Sequence, residues 1–310
     1  MFPAFEPIVK SPHLLTILGN YWPRDFDFSR FSHRRRYIQT EPDVKIMVDS
    51  YDPLFEPRCE IVLLHGLEGS GESGYMVSLS HAALNAGFAV HRFHMRTCGG
   101  TEELCQTLYH AGLTSDLLSF VQQNRSRKPV FLAGFSLGGN VALKAAAEAE
   151  RGLVAGVATI AAAIDLAACS KRLGARENRM YESRFVTRMK ARLERTGRYS
   201  KDLLDQCRTV YDIDDKITAP SFGFGNADRY YAEQSSLPYL AKLRVPALLI
   251  AAKDDPLVPF ASYRDPGITR NPNLQVIAPD HGGHIGFISR RKPRFWVDRV
   301  ILDWIENQLR

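Results

Sequence analysis

Residues 129–150 read PVFLAGFSLGGNVALKAAAEAE. The first part is apolar, β-branched and aromatic; the last part is built of alanine and other helix formers. That change predicts a buried strand running directly into a helix. Ser136 stands at the junction, with Gly134 two residues before it and Gly138 two after, followed by Gly139. A serine at the tip of so tight a turn projects its hydroxyl, and the glycines remove side chains that would collide there. The following helix aims its free N–H groups and positive dipole end at the same point. Five residues of this kind also arise by chance, so the rest of the chain must carry the reading.

Outward from this junction the pattern repeats. RRRYIQT and KIMVDSY, joined by EPD, read as a hairpin; residues 1–33 before them, with their prolines and aromatics, read as irregular. EIVLLHG is a buried strand, YMVSLSHAALNAG a helix closed by Gly87, FAVHRFHM a strand and LTSDLLSFVQQ a helix. GLVAGVATIAA follows the alanine-rich helix as another strand. Strands alternating with helices predict a mostly parallel central sheet flanked by helices, an α/β class fold. After Ala163 the alternation stops until VPALLIAA at 245–252 and NLQVIAP, with a C-terminal amphipathic helix last. The expectation is one domain over residues 1–310 with a helical cap inserted at about 164–235. In open α/β sheets ligands bind outside the carboxyl ends of the strands, where such an insertion would lie.

Composition narrows the function classes. The chain has 310 residues, 45% of them hydrophobic and 24% charged, as in ordinary globular domains. The N-terminus has no basic start followed by a long apolar core, and no apolar run approaches the length of a membrane span, so the expected location is cytoplasmic. The five cysteines (Cys59, Cys98, Cys105, Cys169 and Cys207) are odd in number and show no C-x-x-C spacing. They read as small buried residues, with neither a disulfide framework nor a metal site. No phosphate-binding or dinucleotide glycine pattern is complete and no nucleic-acid module surrounds the basic runs, so no cofactor, metal or nucleic acid is expected. The net charge of +6 is matched by one segment, Lys171–Arg208, with twelve Lys or Arg against five Asp or Glu.

A serine nucleophile needs a base and a carboxylate to orient it. On this architecture they follow in the order serine, carboxylate, histidine, each after a strand. VPALLIAA is followed by KDDPLVP, with Asp254 and Asp255; NLQVIAP is followed by DHGGHIGF, with His281 and His284. Asp255 is the preferred acid, four residues before Pro259, and Asp254 reads as a turn carboxylate. His284 is the preferred base, because Gly282 and Gly283 free its loop to approach Ser136. Oxyanion donors are expected from the backbone N–H of Leu137 and of Leu67, the latter in the HGLEGS loop. His65 and Glu68 read as braces of that loop, and Arg96 as part of a site wall.

Taken together, HGLEGS, GFSLGGN, FGFGNADRYYAEQSSLPYL, AKDDPLVP and HGGHIGF resemble the YheT-type family of α/β-hydrolases. Yeast medium-chain fatty acid ethyl ester synthase/esterases and animal membrane-associated lipases are among its relatives. SPHLLTIL at 11–18 is similar to that family's H-L-Q-T segment, with Leu15 where glutamine is usual. The resemblance implies an α/β-hydrolase fold and a serine hydrolase of small-molecule carboxylic esters, with Ser136, Asp255 and His284 as its triad. Short- to medium-chain acyl esters are the expected substrates, through an acyl-enzyme. An acyltransferase passing the acyl group to an alcohol is one alternative, and a non-catalytic ligand-binding fold another. On the stretch ARENRMYESRFVTRMKARLERTG, Tyr181, Phe185, Met189 and Leu193 form an apolar stripe beside Arg184, Arg188, Arg192 and Arg195. The stripe is expected to pack on the body and the arginines to be solvated. Weak association of this basic face with anionic membrane surfaces is a further expectation.

Overall fold

The computed structural model describes residues 2–124 and 126–310. A short helix, α1 (Pro12–Tyr21), precedes the sheet. It then alternates as β1 (Ser32–Glu41), β2 (Val44–Asp52), β3 (Glu60–Leu64), α2 (Gly74–Asn85), β4 (Ala89–Phe93), α3 (Ser115–Gln123), β5 (Val130–Phe135), α4 (Leu137–Glu148) and β6 (Gly156–Ile160). β7 (Ala247–Ile250), β8 (Leu274–Ile277) and a C-terminal helix (Trp296–Gln308) close the chain. The eight strands lie in the order β1-β2-β4-β3-β5-β6-β7-β8. β1 and β2 pair antiparallel with each other and β2 antiparallel with β4; every other pairing is parallel.

The central strands are apolar throughout because both sheet faces are covered. Along β3, Val62 and Leu64 join one core with Phe120 of α3 and Val141 of α4. Ile61 and Leu63 point the other way, into a core with Leu79 of α2 and Ile301 and Trp304 of the C-terminal helix. Each such side chain withdrawn from water contributes about 1.5–3 kcal/mol.

Between β6 and β7 the chain is helical. It makes α5 (Leu166–Leu173), α6 (Arg179–Arg195) and a series of short helical turns ending at Leu240, with one π-helical turn at Asp214–Thr218. Tyr181, Met189 and Leu193 of α6 are buried with Leu204, Ile213 and Leu257 in a core of their own. Asn140 of α4 fastens the end of this segment to the sheet. Its side-chain amide donates to the carbonyls of Ala111 and Gln234, and its oxygen accepts from the Ser236 N–H.

Two sequence expectations are corrected here. Residues 1–33 are not wholly irregular: Pro12 at the first turn and the Ser11 cap, which accepts from the Leu14 N–H, start α1. Arg192 is not solvated with its neighbours but only 4% exposed, for a reason given below. No helix among the described residues is long and apolar enough to cross a membrane. All five cysteines are free, and only Cys169 is not fully buried.

Candidate active site

Three strand ends converge on one point. Ser136 follows β5 directly, with φ 52° and ψ −118°. A non-glycine residue pays about 1–3 kcal/mol for such a backbone. Close packing holds it there. A Cβ on Gly134 would lie 2.3 Å from the Gly138 carbonyl oxygen, and one on Gly138 would lie 2.3 Å from that of His65. The elbow therefore needs these glycines so that β5, α4 and the end of β3 can touch. The Ser136 N–H donates to Ile160 O at 2.9 Å, which extends the sheet ladder into the turn.

Asp255 follows β7 and His284 follows β8. The Ser136 hydroxyl lies 2.9 Å from His284 Nε2, and His284 Nδ1 lies 2.9 and 3.2 Å from the two Asp255 oxygens. An ionised carboxylate only accepts, so Nδ1 carries the proton and Nε2 is free to accept from Ser136. Asp255 is itself held by the Leu257 and Val258 N–H groups, both donating to Oδ1 at 2.8 and 3.0 Å. Its side chain is 2% exposed. Asp254 faces elsewhere. It accepts from the Gly283 N–H at 2.9 Å and pairs with Nδ1 of His281 at 3.1 Å, bracing the histidine loop from its outer side.

Sequence reading missed the support beneath His284. Its N–H donates to Thr16 Oγ1 of α1 at 2.9 Å, and the Thr16 hydroxyl donates to Pro12 O. The histidine loop lies so close to α1 that a Cβ on Gly283 would sit 2.3 Å from Pro12 O, and one on Gly286 would sit 2.3 Å from Leu15 O. The signal was the SPHLLTIL segment, whose Leu15 is fully buried and whose contact with the histidine loop runs through its backbone and the Thr16 side chain.

The HGLEGS loop passes beside the serine: a Cβ on Gly66 would come within 3.3 Å of the Ser136 Cβ. The Gly66 N–H donates to the Tyr75 hydroxyl at 3.0 Å. His65 is fully buried, takes the Met95 N–H on Nε2 and donates from Nδ1 to Gly66 O. Burial pushes its pKa down to about 3, so it is neutral and acts as a strut of the loop. Leu137 opens α4, where helix N–H groups have no intrahelical acceptor. Leu67 and Leu137 line one cavity together with Ser136 and His284. Arg96, expected in the site wall, lines neither cavity at the serine. It is buried behind the strand ends, paired with Asp116 and Glu41.

Two compartments meet at Ser136. The inner one, about 110 Å³, runs under the helical segment between Leu166, Leu173, Met189 and Val210 and is largely apolar, with Asp214 and Tyr231 among its few polar walls. The outer one, about 400 Å³, opens past Tyr21, Met180, Arg184 and Arg188. Among the described residues no cluster of three or more His, Cys, Asp or Glu could hold a metal ion.

The fold and this constellation define a hydrolase of carboxylic esters. The chain belongs to the α/β-hydrolase fold family, whose model matches residues 61–290. It is 31% identical to YheT of Escherichia coli strain K12, provisionally named an esterase, over 96% of this chain and 91% of that protein. It is 25% identical to the human phospholipase ABHD3, over 88% of this chain and 72% of that one. Among solved structures, the Pyrococcus furiosus esterase Pf2001 superposes with a TM-score of 0.61 at 18% identity, covering 98% of each chain.

Proposed function

We propose that the enzyme cleaves short- to medium-chain acyl esters through an acyl-enzyme on Ser136. The observation that carries this is the unbroken hydrogen-bond chain from Ser136 Oγ through His284 to Asp255. His284 takes the serine proton as Oγ attacks the ester carbonyl, then donates it to the departing alcohol. Asp255 keeps the imidazole in the required tautomer and stabilises its charged form. The Leu67 and Leu137 N–H groups receive the oxyanion; one such donor is worth about 3–4 kcal/mol in the transition state. Water, activated by His284 in turn, releases the acid.

The inner compartment takes the acyl chain. Its 110 Å³ is somewhat smaller than the roughly 150 Å³ apolar cavity that stays dry and admits benzene, which favours acyl groups of a few carbons. The outer compartment takes the alcohol portion and any longer chain. Its rim bears exposed Tyr21 and Met180 with Arg184 and Arg188, and Leu14 is exposed on the same α1. This mixture of apolar and cationic side chains suits weak, salt-sensitive contact with anionic lipid surfaces.

A fluorophosphonate probe tests the nucleophile. Ser136 is expected to be the serine labelled rapidly, and Ser136→Ala to lose both labelling and ester hydrolysis while its thermal unfolding stays near that of the parent. Full hydrolysis in that variant would overturn the reading.

A further inference from the structure

Glu68 and Arg192 form a buried ion pair outside the triad. Arg192 lies on the inner side of α6. Its Nε donates to both Glu68 oxygens at 2.9 and 3.1 Å, Nη2 lies 2.9 Å from Oε1, and Nη1 donates to Thr97 Oγ1 at 2.9 Å. Both charged side chains are 5% exposed. The Arg192 guanidinium lies 4.9 Å from the centre of the Tyr109 ring. The Tyr109 hydroxyl donates to Glu68 Oε1 at 3.1 Å and accepts the Glu68 N–H at 3.2 Å.

The backbone of Glu68 gives this pair its meaning. Its φ is 54°, in the left-handed region that a glutamate rarely adopts, and Thr97 at the other end of Arg192 has φ 60°. Such conformations persist only where surrounding contacts over-determine them. Glu68 directly follows Leu67. On the other side of Leu67, Gly66 is held by the Tyr75 hydroxyl, and the Gly69 N–H returns to Gly66 O at 3.0 Å. The Leu67 peptide is thus suspended between a pin on α2 and a pin on α6. The same α6 supplies Phe185 and Met189 to the walls of the inner compartment.

We propose that Glu68 and Arg192 are positioning residues: their ion pair holds the Leu67 N–H on the oxyanion and makes that alignment depend on α6 being docked. The proposal rests on the assignment of Leu67 as an oxyanion donor. With α6 seated, Arg192 neutralises and grips Glu68, the left-handed turn is enforced, and the donor is in place before substrate arrives. With α6 displaced, an unpaired glutamate would seek water, the turn would relax, and the site would hold its nucleophile without its oxyanion support. A merely structural pair would stabilise the fold and leave the transition state untouched.

The test compares Glu68→Gln, Arg192→Lys and Arg192→Met with the parent in the full chain. Three readouts are needed: kcat and KM on a soluble short-chain ester, affinity for a trifluoromethyl ketone that forms a tetrahedral adduct, and Tm. Glu68→Gln and Arg192→Met are expected to lower kcat about a hundredfold, just within the range for losing one oxyanion donor, with KM changed less than about threefold. Affinity for the ketone should fall in parallel with kcat/KM. Arg192→Lys keeps the charge but not the fork, and should recover about a tenth of parent kcat. The double variant Glu68→Gln/Arg192→Met should lose no more than either single one. A lowered Tm with kcat and ketone affinity retained would show a structural pair and overturn the proposal. Fluorophosphonate labelling of Ser136 separates the two levels. Labelled, active Glu68 variants sink only the positioning role, whereas an active Ser136→Ala sinks the assignment of the site itself.

Discussion

Replacing Asp255 by asparagine isolates the tautomer from the geometry. Oδ1 of Asp255 accepts two backbone N–H groups, from Leu257 and Val258, so an asparagine there must turn its carbonyl oxygen to that position. Its NH₂ then occupies the place of Oδ2, 2.9 Å from His284 Nδ1. A donor now faces Nδ1, which must become the acceptor, and the imidazole proton moves to Nε2. That nitrogen can no longer take the proton from Ser136 2.9 Å away. The shape of the site is unchanged while the base is lost. A swap of this kind in a serine triad costs about 10⁴ in kcat, which corresponds to about 5.4 kcal/mol in the barrier. Asp254→Asn is the control. Its Oδ1 can still accept the Gly283 N–H, and only the half-exposed pairing with His281 is lost. Such a pair is worth about 0–1 kcal/mol, so kcat should stay within about tenfold. The assay is steady-state hydrolysis of a soluble ester at saturating substrate, with Tm recorded for both variants. If Asp255→Asn remains within tenfold of the parent, or if the two variants exchange their effects, the assignment of the acid is wrong.

Further expectations follow from the same geometry. His284→Ala should abolish measurable turnover on that ester, while His281→Ala should retain most of it; comparable losses would contradict the separation of the two rings. Burial pushes the Asp298 carboxyl up to about 7, against 3.8 as its ordinary value. Between these values the folded state keeps a proton that the unfolded chain has released, so stability falls as pH rises through that window, by on the order of 4 kcal/mol. Asp298→Asn should therefore gain Tm relative to the parent progressively from pH 4 to pH 8; a difference independent of pH in thermal melts would refute this. The protein should sediment with anionic vesicles at low salt and be released at high salt, at about 1 kcal/mol per basic side chain near the surface. Arg184→Glu with Arg188→Glu should weaken that binding, and binding that is absent, or undiminished by the reversal, would count against the proposed rim.

What could be read from the sequence, and what could not, divides by the range of the contacts involved. β3, β5, β6 and β7 announce themselves because burial on both faces makes each a short apolar run. Ser136 and Asp255 could be singled out because each lies just beyond such a run, and His284 because its glycine-bearing loop follows the half-buried edge strand β8; the structure brings the three within hydrogen-bonding distance. α1 was hidden: it is short, only three of its residues are buried, and it contacts the loop around His284 through its backbone and the Thr16 hydroxyl, 268 residues from His284. No local periodicity reports such a contact.

Arg192 was misread for a different reason, and the signal was present. It stands three residues after Met189 and seven after Phe185, so helical spacing alone places it on the apolar stripe of α6. Its charge argued for solvent, since an unpaired guanidinium is not buried. The charge argument prevails only if no carboxylate is waiting, and the partner here, Glu68, lies 124 residues earlier in a loop already noted for another reason. Where spacing and charge disagree on one helical position, the sequence supports a specific inference: a buried opposite charge must exist elsewhere. In this chain the short list of candidates included the glutamate beside an expected oxyanion donor. A cation on the inner face of a segment covering an active site, opposite an acid in its oxyanion loop, joins the cover to the chemistry beneath it. For that reason the misread arginine, rather than the readily found serine, shows how α6 and the reaction site are connected.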